Sequence, residues 1–460
     1  MTVSIIVLIL ILILLIILMI WSLLLLNKKT FYDGISVENV DVSGLDMQEA
    51  QVLLEKAIDE RYRNGCITLQ SDSREWTCSL KDIRFRLLYK EALEEAYKAG
   101  RTGNVFQRLY MIANIRSNNL EIDAKEDFDR EELEKLLKVI KKQVDVESKD
   151  ASLRYENGKY IFSRETVGRE LGIDTNRKLV ENCILERNFT NINLDIKEKI
   201  PKVLYDNIKN INEVISSFFT TFNTGDENRS HNIRLACEKI NGTILLPNEM
   251  FSMNRALGPR TVANGYKEAP VIFKNELIKG PGGGICQVTT TLYVATLKAL
   301  LEIVERSKHS MPLGYVSPGQ DATIAEGSID YKFQNKRVYG EGSYPVCIYA
   351  KVVGNRIDIK ILGKKYDEDY VVKLKSQVIR RYGDNDIEYI IDDNVPYGQQ
   401  VEVRKAREGM RVLVYREIYS KNGELLDREK ISEDVYRPVK AQVKINPDYD
   451  SKMVLEPEFE

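Results

Sequence analysis

Histidine is nearly missing from this chain of 460 residues: only His231 and His309 occur. Neither lies in an HExxH or CxxC context, so a metal site built from histidines is not expected. A charge excess is missing as well. With 67 Lys+Arg against 69 Asp+Glu, the net charge of −2 leaves no basic surplus to hold a polyphosphate backbone. Nucleic acid is not an expected partner, and no cofactor is expected. The six cysteines, Cys66, Cys78, Cys183, Cys237, Cys286 and Cys347, lack the regular spacing of a disulfide framework. Cys66 with Cys78 is the candidate pair, and Cys286 with Cys347 is an alternative fate for the central cysteine.

What the chain does have begins at residues 3–26, VSIIVLILILILLIILMIWSLLLL, a run without a charge. It exceeds the ~20 apolar residues that cross a bilayer as a helix. A cleaved signal peptide has a shorter apolar centre and small residues near its end, whereas Leu23–Leu26 run straight into Asn27, Lys28 and Lys29. An uncleaved transmembrane anchor is the expectation. Lys28 and Lys29 by themselves favour a cytoplasmic body under the positive-inside rule.

Beyond the anchor the pattern predicts an α+β multidomain protein. Residues 38–203 read as one supersecondary unit used twice. The first copy has a helix from Met47 to Tyr62, strands Cys66–Gln70 and Glu75–Leu80, and a helix from Tyr89 to Ala99. The second has a helix from Arg130 to Val144, a hairpin of Ala151–Tyr155 and Lys159–Ser163 about the Asn157-Gly158 turn, and a helix after Asp174. That order argues for a duplicated α+β domain. Residues 206–363 are rich in Gly and Pro clusters, which points to a site built on loops. Residues 366–446 alternate as strands separated by turns such as Asn422-Gly423 and predict an all-β module. Residues 447–460 are expected to be a disordered tail.

The chemistry concentrates in GPGGGICQVTTTLY, residues 280–293. A glycine turn feeds a helix expected to run through Ala299 toward Val304, which puts Cys286 near its N-terminus. Free backbone N–H groups and the helix dipole there stabilise a thiolate. Thr290 and Tyr293, four and seven residues on, fall on the same face and are expected to line one surface with Cys286. His309 and Asp321 follow, so cysteine, histidine and carboxylate supply a nucleophile, a base and an orienter for acyl transfer. The backbone of Gly282, Gly283 and Gly284, or the Gln287 side chain, is placed to stabilise an oxyanion. Arg306 completes the candidate binding set.

Each residue has a plainer reading. Cysteine is often simply buried, and a glycine turn can serve only close helix packing. His309 can be a structural hydrogen-bond partner, and Asp321 a turn or N-cap residue. His231 reads as a loop residue beside a helix start, with the role of base as its alternative.

Seven ordered segments carry a family resemblance: NRSHNIRLA (228–236), NGTILLPNEMFS (241–252), LGPR (257–260), GYKEAP (265–270), GGGICQVTTTLY (282–293), Glu305-Arg306 with His309-Ser310, and Gly319 with Asp321–Thr323. Together they resemble a VanW domain. Asn248 and Lys308 depart from it, standing where a glycine and a proline are expected. The duplicated region, with AYKAGR (96–101) and GRELG (168–172), resembles the peptidoglycan-binding domain that often precedes VanW domains. The β-rich end, with Gly398, Gly409 and Gly423, is similar to the five-glycine extracellular module associated with cell-wall sugars.

The resemblance implies a membrane-anchored envelope protein whose body faces outward, against the hint of the two lysines. The favoured expectation is a binder of peptidoglycan or of cell-wall glycan or peptide. The alternative is a cysteine-dependent hydrolase or acyltransferase acting on cell-wall peptide or amide bonds through Cys286, His309 and Asp321.

Overall fold

A computed structural model describes residues 2–72, 74–273, 276–364, 370–383 and 386–447. The expected tail lies outside the described residues, apart from Pro447. The chain folds into two compact units. One comprises the residues up to Ser148 together with Val167–Ile200; the other comprises Lys149–Thr166 and the residues from Pro201 onward. The architecture is mixed α+β, with an apolar helix at the N-terminal end and an all-β region at the C-terminal end.

In the first unit the helix Thr2–Leu26 is long and apolar enough to cross a membrane. The chain then enters the core at once, because Phe31 and Tyr32 are buried. Arg101 and Arg108 strap this junction, donating to the carbonyl oxygens of Lys28, Thr30 and Leu26. The helix Met47–Tyr62 begins at Asp46, whose carboxylate accepts the Glu49 N–H at 2.9 Å while Glu49 takes the Asp46 N–H at 3.0 Å. That reciprocal cap satisfies two otherwise orphaned donors. Helices Arg130–Val144 and Ile173–Leu185 pack with the hairpin Cys66–Ser71/Arg74–Ser79 around Leu133, Leu137, Ile140 and Val180. Glu38, fully buried, is bound by Arg187 at 2.8 Å, and Arg187 also holds Glu126 at 2.5 Å.

Three features depart from the sequence reading. A helix, Val105–Asn118, is present where none was expected. Its Phe106 and Tyr110 are exposed, which blurs the apolar period. The hairpin Ser152–Glu156/Lys159–Ser163 belongs to the second unit, where Leu153, Tyr155 and Phe162 pack with Val203, Ile208, Cys347 and Leu362. Its apolar face has no partner of its own, so it borrows one from the central sheet. Finally, all six thiols are free: neither the Cys66–Cys78 nor the Cys286–Cys347 bridge forms.

The second unit is built on an antiparallel sheet ordered Glu213–Thr221, Arg356–Gly363, Val346–Val353 and Ile244–Leu245. Across it lies the helix Ile285–Lys298, buried along nearly its whole length. Its threonines are compatible with burial because each hydroxyl is satisfied. Thr289 and Thr291 donate to the carbonyl oxygens four residues back, Ile285 and Gln287. The helix stops at Lys298 rather than continuing. Leu300 takes φ +59°, and Leu301–Glu305, with the β-branched Ile303 and Val304 at its centre, becomes a strand beside Lys332–Arg337. The C-terminal region forms two three-stranded sheets, one of Tyr370–Tyr382, Gly409–Ser420 and Leu425–Tyr436, the other of Ile387–Ile391, Ala441–Ile445 and Gln400–Arg404.

Candidate functional site

The turn before the buried helix is fixed by sterics. Gly282 and Gly284 hold φ of +86° and +99°, values that a Cβ resists. Gly283 is needed for a different reason, since a Cβ there would stand 2.5 Å from the Pro270 carbonyl oxygen. Asn232, buried on the helix Glu227–Ile240, pins the turn. It donates to Lys267 O at 2.8 Å and Gly283 O at 3.2 Å and accepts the Lys267 N–H at 2.8 Å. The chain thus enters the helix with Cys286 as its second residue. Ile285 and Gln287 donate their N–H groups back to Gly282 O and Gly284 O. The Cys286 N–H has no acceptor among the described residues, so it stays available at the positive end of the helix.

An antiparallel bridge between Ser307 and Thr323, with Thr323 N–H donating to Ser307 O at 2.8 Å, lays the two loop segments side by side. Asp321 Oδ2 then accepts both the His309 N–H at 2.6 Å and the ring Nδ1–H at 2.7 Å. That double contact assigns the proton to Nδ1 and leaves Nε2 as the ring nitrogen for Cys286. His309 is near enough to Cys286 for the two groups to shift each other's titration. Cys286 Sγ also lies 3.4 Å from Thr323 Oγ1. Cys286, His309 and Asp321 are therefore brought together. Cys286 keeps part of its surface open, while His309 and Asp321 are buried.

The electrostatics follow from this geometry. Burial pushes the Cys286 thiol up, but the hydrogen bond and positive charge of His309, helped by Thr323, outweigh it and bring it down to about 7. For His309, burial pulls the other way, and the bonds to Asp321 and Cys286 raise it to about 9. Burial also opposes the charge on Asp321, yet bonds from His309 and Tyr436 hold its carboxyl below the usual range. Between the two central values the stable form is a thiolate–imidazolium pair.

The remaining expected residues fall in less accessible places. Gln287 is committed at both ends: Nε2 donates to Thr220 Oγ1 at 3.1 Å and Thr221 O at 2.8 Å, and Oε1 accepts from Arg229 at 2.6 Å. It braces the helix and is not free to bind an oxyanion. Thr290 clamps Ala322, bonding its carbonyl and its N–H at 3.0 Å each. Tyr293 is buried edge-on against Tyr331, with the Arg306 guanidinium over its ring. The expected surface of Cys286, Thr290 and Tyr293 does not exist, because only the first turn of this helix reaches the site and the rest enters the core. His231 lies within the helix Glu227–Ile240 and donates from Nε2 to Gly265 O at 2.8 Å.

Five residues escaped the sequence reading. Thr323 touches the sulfur, as described. Tyr315 feels the charges of Cys286 and Arg229; burial first, then the negative sulfur, push its phenol up, with Thr290 opposing. Arg229, pulled down by burial, stands at the glycine turn. Tyr315 and Thr323 were legible, since both sit in the loop strings around Asp321. Asp434 and Tyr436 were not. They come from the far end of the chain, yet Tyr436 OH donates to Asp321 Oδ1 at 2.6 Å, and Asp434 binds Arg306 through both oxygens at 2.8 Å.

Residues 228–362, which contain every member of the Cys286–His309–Asp321 cluster, match the family described as VanW like protein. They form a VanW-like domain. Residues 76–193 match the family described as "Putative peptidoglycan binding domain", and residues 377–446 match the G5 domain. The chain is 42% identical over 162 residues to the uncharacterized protein YoaR of Bacillus subtilis, covering 35% of this chain and 52% of that one. It is 34% identical over 114 residues to the vancomycin B-type resistance protein VanW of Enterococcus faecalis, covering 24% and 42% respectively. The chain thus spans about half the length of the curated relatives it matches.

Two solved G5 domains also resemble its C-terminal region. The IgA1 protease G5 domain is 17% identical, covering 18% of this chain and 96% of that one at a TM-score of 0.13. HP0197-G5 is 16% identical, covering 17% and 99% at 0.11. A VanW-like domain flanked by these two modules makes this a cell-wall-associated protein.

Proposed function

We propose that the protein is a cysteine-dependent acyl-transfer enzyme or amide hydrolase acting on cell-wall peptides, held at its substrate by wall-binding modules and a membrane anchor. One relationship carries the reading: a helix-terminal cysteine has its thiol lowered by a neighbouring histidine whose Nδ1 is fixed by a buried carboxylate. A cysteine kept only for packing needs no such partners, and burial alone would raise its pKa, as it does for Cys237 and Cys347, both pushed up to about 12.

The chemistry follows from the groups present. The Cys286 thiolate attacks the carbonyl carbon of an amide, forming a C–S bond and moving an electron pair onto oxygen. The free Cys286 N–H and the Tyr315 hydroxyl are the candidate donors to that oxyanion. The C–N bond then breaks as the His309 imidazolium passes its proton to the departing amine, leaving a thioester. His309, now neutral, takes a proton from water or from an acceptor amine, which attacks the thioester and releases the thiolate. Asp321 holds the ring and its tautomer throughout.

The other modules fit a role in delivery. The peptidoglycan-binding and G5 matches support retention on wall glycan, with the body outside the membrane. The strapped junction between the helix Thr2–Leu26 and the buried Phe31 supports an anchor that stays attached. The test is incubation of the detergent-purified full chain with purified cell wall, followed by mass analysis of the peptides. New or shortened cross-links are expected with wild type and not with Cys286→Ala. Identical fragments from both proteins sink the enzymatic reading, and co-sedimentation of both with the wall then leaves a binder.

A further inference from the structure

We propose that the C-terminal β-module is a working part of the VanW-like site, with Tyr436 and Asp434 as positioning residues for the His309–Asp321 pair. The inference rests on the proposed function and adds that the site is incomplete without the strand Leu425–Tyr436. Neither side chain is a surface contact: Tyr436 is fully buried and Asp434 nearly so.

The bonding around Asp321 explains what they do. Oδ2 is occupied by His309, through the backbone N–H and the ring. Oδ1 takes the Tyr436 hydroxyl at 2.6 Å and, more weakly, Arg306 Nη2 at 3.4 Å. The Tyr436 oxygen in turn accepts the Gly319 N–H at 2.9 Å, so its own proton points to Asp321. A carboxylate gripped through one oxygen alone can rotate; gripped through both, it holds the imidazole in a single orientation.

Asp434 acts one step further out. It fixes Arg306 through two bonds, and its Oδ2 also takes the Ser432 hydroxyl at 3.0 Å. Arg306 spends its remaining donors on the loop that carries Asp321, reaching Asp321 O at 2.7 Å and Gly319 O at 2.9 Å. The loop is moulded to the module as well: a Cβ on Gly319, which has φ +84°, would stand 2.5 Å from Val414 Cγ2. Thr290 holds the same loop from within the VanW-like domain through Ala322. The base and its orienter are therefore set from two sides by segments far apart in sequence, one of them belonging to the module matched as G5.

The test reads thiolate formation and needs no substrate. The rate of Cys286 alkylation is followed against pH in the full chain carrying Cys66→Ser, which removes the exposed thiol. Tyr436→Phe and Asp434→Asn are compared with Ser376→Ala, which loses another contact of the same module, the bond from Gln320 at 3.0 Å, without touching Asp321. With the imidazolium less well held, the midpoint for Tyr436→Phe and for Asp434→Asn should rise by about one pH unit or more, so alkylation at neutral pH slows roughly tenfold. Ser376→Ala should match wild type. Midpoints unchanged in both positioning variants, with folding confirmed by circular dichroism, overturn this inference and leave the proposed function standing. An unreactive Cys286, or one with an ordinary thiol midpoint in wild type, overturns the proposed function itself. A shift in Ser376→Ala equal to the others reduces Tyr436 and Asp434 to module-docking residues and also overturns the inference.

Discussion

His309 meets Asp321 twice through one oxygen: its backbone N–H lies 2.6 Å and its ring Nδ1 2.7 Å from Asp321 Oδ2. This pairing fixes the ring's position and its tautomer together, so the Nε2 edge is left for sulfur. Replacing Asp321 with Asn keeps the size and removes the charge. The amide can offer its own N–H to the ring and favour the wrong tautomer. Acyl transfer should fall by about 10²–10⁴-fold, measured as release of wall peptides. Activity within a few-fold of wild type would exclude Asp321 as the orienter.

The pH dependence follows from the two shifted groups. Below about 7 Cys286 is protonated and unreactive; above it the thiolate forms. Above about 9 the His309 imidazolium loses its proton and can no longer protonate a leaving amine. Alkylation should therefore rise through pH 7, while acyl transfer traces a bell between about 7 and 9. Asp321, held low, remains ionised throughout. Labelling of Cys286 only at alkaline pH, together with Cys237 and Cys347, would contradict this.

Gly283→Ala tests the turn. The added methyl meets the Pro270 carbonyl oxygen and Ala269, and backbone cannot swing aside as a side chain can. A loss of ~1–3 kcal/mol is expected, read as a lower melting temperature together with slower Cys286 alkylation as the helix start shifts. Full stability and full reactivity would show that the turn has slack.

Arg187→Leu probes the first unit. It removes the closest cation from the buried Glu38 carboxylate, which keeps the Ala124 N–H at 2.7 Å and Arg61 at 3.6 Å. Breaking a buried pair from one side costs ~3–5 kcal/mol, so the melting transition should move down sharply. Because the variant does not touch Cys286, a second transition matching wild type is expected from the unit that contains it. A single unshifted transition would mean that Glu38 finds water or another partner.

How far the sequence could be read depended on the range of the interaction. The capped helix Met47–Tyr62 and the helix Arg130–Val144 were legible to the residue, because a cap and an apolar period are local signals. Cys286 at a helix start was legible from its glycines. The helix end at Lys298 was missed because the left-handed Leu300 leaves no compositional mark. The Ser152–Ser163 hairpin is legible as a hairpin, but its packing with Val203, Ile208, Cys347 and Leu362 is not, since alternation says which face is apolar and not what covers it.

The sequence by itself determined the apolar N-terminal helix, the family of the central block, and the candidates Cys286, His309 and Asp321. These rest on residue type, local period and ordered motifs. Tertiary structure alone decided that Gln287, Thr290 and Tyr293 brace the core, and that Tyr436 and Asp434 reach Asp321 and Arg306 from the far end of the chain. The physical reason is that a hydrogen bond spanning 115 residues is set by the packing of two sheets and a loop, and nothing in the local chain encodes which distant oxygen a hydroxyl will find.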